Sequence, residues 1–188
     1  MQDVYDFLFD INERLLDRGL RRFDDVARPQ LISGLCSDLL SDSVGTHARS
    51  LVVNKYHNGH PDLVVDGHFD NNSVVDGGVD WGVEVKSTLK PGGVVDVHGS
   101  RDQWMMVFVY EIDTTSEPIA ARRPLKFIEV YCAEVQKTDF RRNNRKTEVG
   151  TSTSALDQYG AIKLRKGWVY LDLDKEVRKR RLRGTDLT

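Results

Sequence analysis

The spacing of apolar residues changes near residue 50, and that change limits what the chain can fold into more than any other feature. Before it, Val4, Phe7, Leu8, Ile11, Leu15 and Leu16 recur at helical intervals and Gly19 offers a stop, which predicts an opening amphipathic helix with Asp6, Asp10, Glu13 and Asp17 on its far side. A second helical pattern follows Arg28-Pro29, runs through Leu31, Ile32, Leu35, Leu39 and Leu40, and fades into Ser41-Asp42-Ser43. From Leu51 onward the apolar residues come in short Val-rich runs, Leu51–Val53, Leu63–Val65 and Gly82–Lys86, parted by Gly, Asn and Asp. Helices followed by consecutive strands predict an α/β fold with a central mixed sheet flanked by helices.

The strand pattern continues downstream. A Gly-rich bend at Lys90–Gly93 and a turn or short helix at Ser100–Met105 lead into a strand at Met106–Tyr110, and a further strand is expected at Leu125–Val135. Beyond it, Phe140 and a basic run read as one more helix or loop, followed by a β-hairpin of Ala161–Leu164 and Trp168–Leu171 turning at Arg165-Lys166-Gly167, which makes residues 136–188 a β-rich, basic extension of a 1–135 core. With 188 residues, no internal repeat and no dividing linker, one domain is expected.

Within the strands, three ionisable residues sit where apolar ones are the rule. Glu84 and Lys86 are two positions apart, so they share one face while Val83 and Val85 take the other; Asp62 opens the preceding strand, on the face of Val64. A carboxylate there needs a partner or a metal. If the two strands are neighbours, Asp62 and Glu84 converge on an oxygen-rich site of the kind that binds Mg²⁺, with Mn²⁺ as a substitute and the carbonyl of Val85 as a further ligand. Lys86 is suited to hold or deprotonate the attacking water and to offset charge developing on phosphorus. The plain alternative is a cross-strand Glu–Lys pair beside a turn aspartate.

Pro61-Asp62 followed by Glu84-Val85-Lys86, on consecutive strands after an N-terminal helix, resembles the PD-(D/E)XK nuclease superfamily, over about residues 1–135. The resemblance implies a restriction-endonuclease-like core and divalent-metal-dependent hydrolysis of DNA phosphodiesters. It makes Asp62 and Glu84 metal ligands, Lys86 the catalytic lysine, and Glu13 of the first helix an added acid at the metal, with Asp10 or Asp17 as alternates. The C-terminal 50 or so residues are not part of the family pattern.

His57, His60 and His68 lack the cysteine partners of a zinc site, and Asn58-Gly59 reads as a turn. His60, adjoining Pro61-Asp62, is a further candidate at the site, as is Gln103; Trp104 reads as core. Cys36 and Cys132 stand far apart, without disulfide or metal-motif spacing, and no apolar run is long enough for a membrane, so a cytoplasmic protein without a membrane role is expected.

The formal net charge of −2 conceals a split: Met1–Pro118 carries 10 basic and 20 acidic residues, Ile119–Thr188 carries 17 and 9. Such asymmetry fits an anionic partner, although two halves salt-bridged to each other give the same arithmetic. Candidate DNA contacts are Arg122, Arg123, the run Arg141, Arg142, Asn143, Asn144, Arg145 and Lys146, then Lys163 and Arg165, while Arg178–Arg183 reads as a solvated tail. The function expected is a type II restriction-like endonuclease acting on double-stranded DNA as a homodimer. A structure-specific nuclease of resolvase or nickase type, or a non-catalytic DNA-binding module, are the alternatives.

Overall fold

The computed structural model describes residues 1–143 and 153–172. Helix α1 (Gln2–Asp17), a short α2 (Phe23–Val26) and α3 (Pro29–His47) precede strands β1 (Leu51–Val53), β2 (Leu63–Val65) and β3 (Gly82–Thr88). The remaining elements are β4 (Asp96–Val97), β5 (Gln103–Glu111), β6 (Lys126–Val135), β7 (Phe140–Arg142), β8 (Ser154–Leu156), α4 (Gln158–Lys166) and β9 (Trp168–Leu171). Six strands form a mixed sheet in the order β1-β2-β3-β5-β6-β9, in which β3 and β5 are parallel and the other pairs antiparallel. The fold is therefore α/β, and none of the described helices is long and apolar enough to cross a membrane.

The two faces of this sheet are covered by different elements. Val85, Phe108 and Val130 point to the side where α1 and α3 contribute Val4, Leu8, Ile32, Cys36 and Leu40. Met105, Val107 and Tyr131 point to the other side, against Leu164 of α4 and against Val97 and Leu156 of the three-stranded sheet β4-β8-β7. Small residues let α3 come close: Ser37 Oγ accepts the backbone N–H of Ser87, Ser87 Oγ donates to the carbonyl of Ser33, and Gly45 lies directly against Val53.

Four sequence expectations change. The second helix continues past Ser43 to His47, since Ser41 satisfies its hydroxyl on the carbonyl of Ser37 within the helix. The segment Ser100–Met105 contains no helix; β5 already begins at Gln103, where pairing to Val135 starts. Ala161–Leu164 is helical, not a hairpin strand: Asp157 caps α4 by accepting the N–H of Gly160, and Ala161 and Leu164, three positions apart, are both buried. With that helix in place, β9 pairs with β6 at the sheet edge, so the described part of 136–188 is built into the main sheet as well as into the small one.

Gly82, at the start of β3, is where the loop before β2 is pressed onto the sheet. A Cβ there would lie 2.1 Å from the Leu63 carbonyl oxygen and 2.3 Å from Pro61 Cγ, whereas one on Gly34 in α3 would meet nothing within 4 Å. Gly82→Ala is expected to destabilise the protein by about 1–3 kcal/mol, and Gly34→Ala to stabilise it by about 0.5–1 kcal/mol; urea denaturation of the two variants checks both signs.

Candidate active site at the fork between two strands

Strands β2 and β3 pair only through Leu63–Val83 and Val64–Gly82, then separate. Beyond that point the edge of β3 finds side chains in place of a strand: Asp62 Oδ2 accepts the N–H of Val85 at 2.8 Å and Ser37 Oγ that of Ser87 at 2.9 Å. In an extended strand a residue's N–H and C=O point to the same side, so the Val85 carbonyl also faces the fork.

Glu84 and Lys86 pair in register with Met105 and Val107, which places both side chains on the α4 face of the sheet. There Lys86 Nζ stands 2.5 Å from Glu84 Oε1 and 3.6 Å from Asp62 Oδ2, so the two carboxylates share one ammonium. His60 Nδ1 lies 2.8 Å from the second oxygen of Glu84, Oε2. That contact is an ion-pair distance: neither Oε2 nor His60 Nε2 makes a hydrogen bond to a described residue, though both are buried.

The electrostatics follow from close packing of opposite charges. Burial alone would push the Glu84 carboxyl up, but His60 and Lys86 outweigh it and bring it down to about 2. Burial would likewise pull Lys86 down, yet Glu84 and Asp62 hold it above its ordinary value as an ammonium. Asp62 moves the other way: burial raises its carboxyl more than Lys86 lowers it, and the nearby charge of Glu84 adds to the rise.

Asn54, which the sequence reading did not single out, fixes the approach to Asp62. Its Nδ2 donates to the carbonyls of Pro61 and Val74, and its Oδ1 accepts the N–H groups of Tyr56 and Val74. A buried amide with all its groups engaged is a strong local organiser. The one signal in the sequence is a polar residue directly after the Val-rich β1 run.

The donor set suits a hard cation that keeps several waters: two carboxylates and a backbone carbonyl, with an ammonium already standing between the acids. No cluster of three or more His, Cys, Asp or Glu side chains able to hold a metal ion of any kind occurs among the described residues, so waters would have to complete the shell. Asp62, Glu84 and Val85 are the residues that would hold Mg²⁺.

The structure does not bring Glu13 to this cluster. Helix α1 packs on the opposite face of the sheet from Glu84 and Lys86, and Glu13 lines a separate cavity of about 1000 Å³ with Phe9, Arg123 and Tyr170. Gln103 is buried and shares the face of Met105, one step along β5 from the level of Glu84. Trp104, expected in the core, is 40% exposed.

The basic candidates divide. Arg122 is engaged by Asp25 and Glu117, Arg123 pairs with Asp113, and Lys163 pairs with Asp139. Arg165 Nε donates to the carbonyl of Ala161 within α4, and Asn143 donates to Asp96 and Thr153 at the base of the β7–β8 hairpin. Arg141 and Arg142 are exposed on β7, in the small sheet that packs on the same face as Glu84 and Lys86. Asn144, Arg145, Lys146 and the tail Arg178–Arg183 lie outside the described residues.

No family model, curated protein or solved structure matches this chain.

The shifts have opposite consequences for stability. A carboxyl depressed from 4.5 to about 2 contributes stability fully present above its ordinary value and lost as the pH falls toward 2, so at pH 7 Glu84→Gln removes it, at a cost of roughly 3 kcal/mol. Asp62 is raised, so its ionised form opposes folding at pH 7, and Asp62→Asn is expected to melt at or above the wild-type temperature. Thermal melts of the two variants at pH 7 should move in these different directions.

Proposed function

We propose that this protein is a divalent-metal-dependent DNA endonuclease with a restriction-endonuclease-like core, cutting double-stranded DNA of its own sequence preference. The observation that carries the reading is the convergence of Asp62 and Glu84 on the Lys86 ammonium at a fork in the sheet. A structural ion pair needs one acid per base; a second carboxylate, raised by burial and kept beside the first, is costly unless a further cation comes to the site.

A bound Mg²⁺ supplies Lewis-acid polarisation of a phosphate oxygen and lowers the pKa of its water. Asp62 and Glu84 provide the negative ligands, and the Val85 carbonyl the neutral one. Lys86, held as an ammonium, donates from Nζ; when phosphate enters, its flexible stem lets it turn from Glu84 to a non-bridging oxygen or to the attacking water and offset charge growing on phosphorus. The water oxygen forms the new bond to phosphorus as one ester P–O bond breaks; the bonding pair leaves on the ester oxygen, which takes up a proton, and the attacking water gives its own proton to solvent.

The exposed Arg141, on the small sheet that packs on the face of Glu84 and Lys86, supplies phosphate or base-edge contacts. Two antiparallel strands call for two symmetric sites, so the working unit in this reading is a homodimer.

Supercoiled, linear and branched DNA incubated with the purified protein and Mg²⁺ or Mn²⁺ test the assignment. Wild type should give discrete fragments, and Asp62→Ala and Glu84→Ala should each cut at least about 10³-fold more slowly, a loss of some 4 kcal/mol in transition-state stabilisation. Cleavage confined to branched substrates would move the assignment to a structure-specific nuclease. DNA left whole by wild type, or cut equally by Asp62→Ala, would reduce the protein to a DNA-binding module. Arg141→Ala is expected to weaken DNA binding and lower its salt dependence, with cleavage-inactive Asp62→Ala as the background for filter or anisotropy titrations.

A further inference from the structure

We propose that His60 is a positioning residue for Glu84, holding Oε2 through Nδ1–H so that the carboxylate stays aimed at the cation position after Lys86 has left Oε1. This rests on the metal-dependent reading above and adds a residue to it.

Glu84 has two neighbours, one per carboxylate oxygen: Lys86 at Oε1 and His60 at Oε2. Lys86 cannot serve Glu84 and a phosphate group at once, because a single ammonium on a four-carbon stem must turn from one to the other. When it turns, Glu84 keeps only His60. A carboxylate at the end of a three-torsion side chain then depends on that contact to remain in one rotamer.

His60 is built to stay where it is. Its backbone N–H donates to the carbonyl of Val75 and its own carbonyl accepts from Gly77, each bond under 3 Å, which fixes the chain on both sides of the ring. The next residue, Pro61, is tied through its carbonyl to Asn54, and Asp76, bridged to His60, is ion-paired with Arg101. Gly59 allows the close turn before it: a Cβ there would lie 2.3 Å from the Val74 carbonyl oxygen and 2.5 Å from Asn54 Nδ2. The imidazole itself is only 13% exposed.

The proton assignment follows from what each ring nitrogen meets. Nδ1 is the nitrogen beside Glu84, 2.8 Å from Oε2, whereas Nε2 is buried without a partner. A hydrogen on Nδ1 is the one that a small rotation of the ring or the carboxylate brings onto Oε2. Groups that orient a metal-binding side chain change metal affinity by roughly 10- to 100-fold when removed.

The test uses Mn²⁺ binding to the full chain without DNA, read by titration calorimetry at one fixed pH, so that no cleavage is needed. Asparagine places its amide N–H near the position of Nδ1, glutamine near that of Nε2, and leucine supplies bulk without a donor. His60→Asn should bind Mn²⁺ within about threefold of wild type, while His60→Gln and His60→Leu should bind roughly 10- to 100-fold more weakly. Should the leucine variant fail to fold, the contrast between asparagine and glutamine still decides. Wild-type affinity in His60→Gln, or equal loss in His60→Asn and His60→Gln, overturns the proposal. Glu84→Gln in the same assay separates the two levels of the argument: if it loses Mn²⁺ and the His60 variants do not, only the role of His60 fails; if it binds like wild type, the metal-dependent function fails with it.

Discussion

A strand that parts from its neighbour must find other partners for its backbone groups, and the candidate site is the way β3 does so. Past Val83 the N–H groups on the β2 side of β3 go to Asp62 and to Ser37. Asp62 therefore has a structural task, closing the ladder, and that task delivers its carboxylate to the level of Glu84. Gly82 and Asn54 serve the same geometry from either end, one by admitting Pro61 against the strand and the other by tying the loop carbonyls together. These residues supply the partners that the opening leaves β3 and its loop without, and without the opening the Val85 carbonyl would be spent on a strand partner.

Much of this was legible in the residue pattern. The period-2 rule separates Glu84 and Lys86 from Val83 and Val85, and Val-rich runs bounded by Gly and Asn mark β1, β2 and β3 within a residue or two. Less legible were features decided by packing across the sheet. Helical spacing says that Glu13 lies opposite the apolar stripe of α1, but the side of the sheet on which α1 rests is a tertiary fact, and it separates Glu13 from Glu84. The segment Ala161–Leu164 is too short for its period to decide between strand and helix, and the cap at Asp157 tips it to helix. The hydrogen bonds of Asn54 join residues up to 20 positions apart and leave no local periodic trace.

The split in charge resolves into two kinds of contact. Part of the basic excess of the second segment is committed to acids of the first, as in Arg122 with Asp25 and Glu117 and Arg123 with Asp113. That is the packed-halves explanation, and it accounts for Arg122 in particular. Arg141 belongs to the other kind, exposed on β7 of the small sheet that packs on the face bearing Glu84 and Lys86. A chain of near-zero net charge can thus carry the acids of Asp62 and Glu84 and an exposed Arg141 on one side of the sheet, each masked by the other in the total.

The resting cluster is neutralised only in part, and this has a mechanical consequence. One ammonium faces two carboxylates, one of them depressed to about 2 and the other raised by burial. The depressed acid has Lys86 as its near neighbour at 2.5 Å, and the raised one sees the same charge only at 3.6 Å. A cation brought to the site would relieve Asp62 most, because Glu84 already has the ammonium close by. Lys86 would then stay with Glu84 until a phosphate offered it a second negative charge, its stem anchored in β3 throughout. The unbalanced carboxylate that closes the ladder of β3 is thus the one that would draw the cation.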